Sequence, residues 1–123
     1  MNEQQQNTAL KELADWGCDV QGALDRLLNS RDFYFKLLPS ALTDPSFDAF
    51  GKALREKNVK AAFESAHTLK GVLGNLGITP MYNETCSAVE LLRAGILEGV
   101  EPHYETLMEQ RAVLGGILGG DAR

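Results

Sequence analysis

The chain has 123 residues, 44% hydrophobic and 24% charged, with a formal net charge of −5. That length and apolar content fit a single domain whose core needs neither a disulfide framework nor a structural metal. The acidic balance argues against nucleic acid as the main partner, and no apolar run approaches the roughly 20 residues that span a membrane.

Every long segment reads as helix and none as strand, because β-branched residues are sparse and never alternate over a useful length. The first helical pattern runs from about Thr8 to Trp16 and stops near Gly17. A second starts around Asp19, with Val20, Ala23, Leu24, Leu27 and Leu28 at helical spacing. It continues, or restarts near Ser30, into Phe33, Tyr34, Phe35, Leu37 and Leu38. Pro39 predicts an interruption or kink close by, because its ring removes a donor and clashes with the preceding turn. Asp44-Pro45-Ser46 offers the next start, followed by Phe47, Phe50 and Leu54.

Asn58 is expected to cap a segment from Val59 to about Leu76, closed by Gly77. Thr79-Pro80 opens the next helix with a hydroxyl cap and a first-turn proline, and that helix ends near Gly95. The last begins around Glu101-Pro102 and reaches about Leu114, where Gly115-Gly116 weakens it. Short links between amphipathic helices favour antiparallel neighbours. The expected fold is all-α: an antiparallel four-helix bundle with one or two additional N-terminal helices. Residues 1–123 read as one domain, flexible at about 1–7 and 119–123. The two cysteines, Cys18 and Cys86, lack CxxC spacing and read as reduced, partly buried thiols of a cytoplasmic protein.

The stretch from Val59 to Gly77 carries the most information. Its apolar residues Val59, Ala62, Ala66, Leu69, Leu73 and Leu76 are spaced 3, 4, 3, 4, 3. At the helical rotation per residue they fall in an arc of roughly 100°, and His67 lies roughly 130° from its centre. His67 therefore belongs to the water side, sharing its face with Lys60, Glu64, Gly71 and Gly74, with Lys70 three residues on. Two glycines inside a helix cost about 1 kcal/mol each against alanine. One physical reason is access: a bare backbone lets another protein's surface approach the ring. The other is close contact with a neighbouring helix.

An imidazole, with an ordinary pKa of about 6.5, is largely neutral near pH 7 and leaves one nitrogen as a nucleophile. The amine of Lys70 would attract the oxygens of an incoming phosphoryl group. No acidic cluster is in place to hold Mg²⁺ beside His67, and no phosphate-cradling glycine loop occurs. His67 is therefore expected to be a carrier whose catalyst comes from its partner.

Ala66-His67-Thr68-Leu69-Lys70-Gly71, followed by Gly74-Asn75-Leu76-Gly77, resembles the signature of histidine phosphotransfer (HPt) domains of two-component phosphorelays. Cys86 to Gly95 also resembles that family's next helix, and the similarity covers roughly Phe47 to Leu114. The resemblance implies that His67 is the phosphorylated residue, that Lys70 supports the phosphohistidine and that Gly71 leaves room. It implies receiver domains of response regulators and hybrid sensor kinases as partners, each with its own Mg²⁺, and no cofactor bound by this chain. Gly71, Gly74, Lys60 and Glu64 would form the access and docking surface. The chain would then be a phosphotransfer intermediate rather than an enzyme, and a monomer. One departure is Val72, where many members carry a small polar residue.

Other features have plainer readings. His103 reads as a surface residue without a metal-ligand partner, and Trp16, Phe33, Tyr34 and Phe35 as core or helix-docking residues. Two other classes remain open: a helical adaptor that binds a receiver or kinase without being phosphorylated, and an enzyme or metal protein built in a helical bundle. For the latter, Glu64-Ser65-Ala66-His67 matches Glu-x-x-His once only, and outward.

Overall fold

A computed structural model describes residues 1–119. Among them are seven helices and no strand: α1 Glu3–Trp16, α2 Val20–Arg26, α3 Arg31–Leu42, α4 Ser46–Arg55, α5 Val59–Asn75, α6 Thr79–Arg93 and α7 Val100–Gly119. Helices α4 to α7 form an antiparallel four-helix bundle. Helix α4 packs on α5, α5 on α6 and α6 on α7, and α4 also meets α7. The helical repeat of each sequence explains the packing. Phe47 and Phe50 of α4, Ala62, Ala66, Leu69 and Leu73 of α5, Met81, Ala88 and Val89 of α6, and Leu107 and Leu114 of α7 are all buried. Each large side chain so buried contributes roughly 1.5–3 kcal/mol. Tyr104 of α7 adds an edge contact to Phe50, with ring centroids 5.0 Å apart.

Three N-terminal helices pack on the bundle, where the sequence predicts one or two. Helix α2, only 7 residues long, is set off from α3 by Leu28 and Asn29, both in the left-handed region, and Ser30 then caps α3. At the N-terminus, helix begins well before Thr8, where the sequence pattern starts it. The Asn2 side chain accepts from the Gln5 amide while the Gln5 side chain accepts from the Asn2 amide, a capping box that starts α1 at Glu3. Gln6 is buried and donates to Asp32, and Arg31 donates to Asn7 at 2.6 Å, so polar contacts with α3 hold a segment that has no apolar stripe.

Helix α3 runs through Pro39 without interruption. The proline costs one intrahelical bond, but Tyr34, Leu38 and Ala41 are buried on either side of it and hold the helix in place. Thr79 does not cap α6. The cap position is Ile78, and the Thr79 hydroxyl faces the Gly77 carbonyl instead. Helix α7 continues through Gly115-Gly116 to Gly119, because Leu114 and Gly115 are buried and α1 packs against it. Of the 119–123 segment expected to be flexible, Gly119 ends α7 and the remainder lies outside the described residues.

Candidate functional site

Asn58 starts the central helix as its sequence suggests, its side chain accepting from the Ala61 amide at 3.0 Å. The seam turns inward, with Ala62, Ala66, Leu69, Leu73 and Leu76 buried and Val59 half-buried. The 3.6-residue repeat then leaves His67 in solvent, with Lys60, Glu64 and Gly71 exposed on the same face. Lys70 is half-buried and has no ion-pair partner among the described residues. Val72 is half-buried at the edge of the core cluster.

The two glycines part company. A Cβ built on Gly71 meets nothing within 4 Å, so the flank of His67 toward the helix C-terminus is open. A Cβ on Gly74 would come 2.9 Å from the Tyr82 ring of α6. The bare backbone of Gly74 therefore serves the packing of α6 on α5 and is not open in the way that of Gly71 is. A helical pattern shows that both residues share a face; only the packing shows that a ring covers one of them.

Two residues at the site escape a reading of motifs. Phe63, one turn before His67, sets its ring 5.6 Å from the imidazole, tilted by 32°. On Phe63 in turn lies the guanidinium of Arg93, at the end of α6, 5.4 Å from the ring centroid. Arg93 also pairs with Glu90 at 3.3 Å. The i, i+4 spacing of Phe63 and His67 is a signal the sequence contains. The arrival of Arg93 from another helix is not. Imidazole, aromatic ring and guanidinium thus form a row across α5 and α6, so the imidazole leans on a fixed surface while its outer edge faces water.

The turn after the helix is a Schellman motif. Gly77 sits at φ +70°, the Ile78 amide donates to Leu73 O at 3.0 Å, and the Gly77 amide donates to Gly74 O at 3.2 Å. A glycine is required there, since a Cβ would run into the backbone carbonyl of Asp19.

Elsewhere, His103, expected on the surface, is half-buried, and its Nδ1 pairs with Glu84, joining α7 to α6. Cys18 is buried, its thiol pushed up to about 11 by loss of solvent, and Cys86 is half-buried; both are free. Tyr34 is buried and Trp16 and Phe35 are half-buried, but Phe33 is exposed. Among the described residues no three His, Cys, Asp or Glu side chains gather as a metal site. None of the described helices is long and apolar enough to cross a membrane.

A family model described as the Hpt domain matches residues 42–115, more than half of the chain. No curated protein and no solved structure matches it.

Proposed function

Since the chain belongs to the Hpt domain family, whose members carry out histidine phosphotransfer in phosphorelays, we propose that it is a phosphocarrier with His67 as the phosphorylated residue. The observation that carries this reading is the exposed imidazole of His67 beside the open flank at Gly71. A convex, single-helix presentation suits a nucleophile that must enter another protein's cleft.

Hpt domains interact with receiver domains. In the proposed reaction one ring nitrogen of His67 attacks the phosphorus of a receiver's aspartyl phosphate. A nitrogen–phosphorus bond forms as the oxygen–phosphorus bond to the aspartate breaks, and the carboxylate leaves. Lys70 attracts the phosphoryl oxygens, and Phe63 keeps the ring from turning away. The reverse step delivers the group to a second receiver. Mg²⁺ is supplied by the receiver, and this chain needs no metal or cofactor of its own. Lys60 and Glu64, exposed one or two turns before His67, belong with Gly71 to the surface that the receiver covers. The 123 residues act as a single cytoplasmic domain, monomeric so that the same face can meet donor and acceptor in turn.

The test is incubation with receiver domains of the source organism charged with radiolabelled phosphate. Label is expected on the wild-type chain, acid-labile and base-stable, and absent from His67→Gln. Label retained by His67→Gln, or delivered by no receiver at all, overturns the assignment.

A further inference from the structure

The last turn of α5 is weak by composition. It follows Gly71, contains Gly74, and carries no basic residue to offset the negative end of the helix. Four consecutive carbonyls at this end, those of Gly74, Asn75, Leu76 and Gly77, find donors outside the bundle. Arg26 of α2 donates from Nη2 to Gly74 O at 3.0 Å and from Nε to Asn75 O at 3.1 Å. The buried Tyr34 hydroxyl of α3 donates to Leu76 O at 2.8 Å. The Asp19 amide donates to Gly77 O, also at 2.8 Å. All three donors precede the stretch that matches the family, which begins at residue 42.

We infer that Arg26 is a positioning residue for phosphotransfer: with Tyr34 and Asp19 it clamps the glycine-bearing end of α5, so that His67, Lys70 and Gly71 are presented on a rigid surface. The inference rests on the phosphocarrier reading for its functional half only. The physical argument is that access and rigidity conflict. Gly71 must lack a side chain to leave the flank open, and Gly74 must lack one to admit Tyr82. Removing both side chains lets the helix end fray. A capping side chain within α5 would stand on the surface that has to stay clear. A donor brought from another helix resolves the conflict. Its guanidinium fork reaches two adjacent carbonyls at once and supplies the positive charge that the helix end lacks.

The experiment compares wild type with Arg26→Ala, Arg26→Lys and Tyr34→Phe by amide hydrogen exchange and by transfer from the receiver domain that charges wild type fastest. In Arg26→Ala the amides of Gly74 to Gly77 should exchange about tenfold faster, while those of Ala62 to Ala66 are unchanged. Transfer should show kcat lowered about three- to tenfold at constant KM, with partial recovery in Arg26→Lys and a similar loss in Tyr34→Phe. Unchanged exchange at Gly74 to Gly77 overturns the clamp. Exchange that rises equally along all of α5 overturns it too, making Arg26 a general stabiliser. A raised KM with unchanged kcat overturns the positioning role in favour of direct contact with the partner. Failure of the wild type to accept phosphate would end the phosphocarrier reading, and the exchange data would still decide the clamp.

Discussion

The imidazole of His67 rests against the ring of Phe63, with centroids 5.6 Å apart and planes tilted by 32°. Phe63 is half-buried and packed on the core, with Arg93 over the ring. A side chain exposed on a helix would otherwise sample several rotamers, and this contact narrows the choice. Phe63→Ala should therefore lower the rate of transfer to His67 about three- to tenfold while leaving His67 chemically competent. It should also lose about 2 kcal/mol of stability, less than a fully buried phenylalanine would. Phe63→Leu should recover most of the stability but less of the rate. Rapid-quench transfer assays beside urea unfolding separate the two effects, and equal recovery of both would show that Phe63 matters for packing alone.

The two glycines of α5 should respond in opposite directions to the same change. Gly71→Ala adds a Cβ into open space and removes the entropy cost of glycine, so stability should rise by about 0.5–1 kcal/mol. Gly74→Ala must displace the Tyr82 ring and should lower stability despite the same helix preference. In the background of Tyr82→Ala, Gly74→Ala should become stabilising, which a double-mutant cycle by chemical unfolding measures. Bulk at Gly71 should slow phosphotransfer, with Gly71→Gln losing more than about tenfold while remaining folded.

Gly77→Ala should be the most damaging single methyl in this region. The position has φ +70°, and the added Cβ would strike the Asp19 carbonyl, a backbone atom with no freedom to swing aside. A loss of more than about 2 kcal/mol is expected from the left-handed conformation and the clash together. Thermal unfolding of Gly77→Ala beside Gly95→Ala, another left-handed position but one with open space around it, isolates the steric part.

Stability should fall on the alkaline side. Burial pushes the Cys18 thiol from 9.0 to about 11, and burial likewise raises the Tyr34 hydroxyl. Both acids are held in their neutral forms by the folded protein. Their contribution is complete below the unfolded values and is lost as pH rises through the folded ones. Between 9.0 and about 11 the melting temperature should therefore decline, and Cys18→Ala should decline less steeply. Within the same range Cys86, half-buried, should react with iodoacetamide well before Cys18 does.

Much of this protein is legible in local sequence, because the features concerned lie within a single helix and its caps. The spacing of Ala62, Ala66, Leu69 and Leu73 places His67 on the water side whatever lies on the other side of the seam. Asn58 and Gly77 mark the ends of its helix through their own hydrogen bonds and backbone angles. The start of α1 is less legible for a related reason: Asn2 to Asn7 has no apolar stripe, and its helix is set by a capping box and by polar contacts with α3. Pro39 and Gly115-Gly116 mislead because burial of their neighbours outweighs their local preference.

Other decisions belong to the tertiary structure. Tyr82 covers Gly74 but no ring covers Gly71, and Arg93 reaches Phe63 from a second helix. Arg26 meets carbonyls 48 and 49 residues further along the chain. Periodicity fixes which way a side chain leaves its own helix. Which neighbour it then meets depends on how the helices are packed against one another, and that follows from the whole core rather than from any one segment.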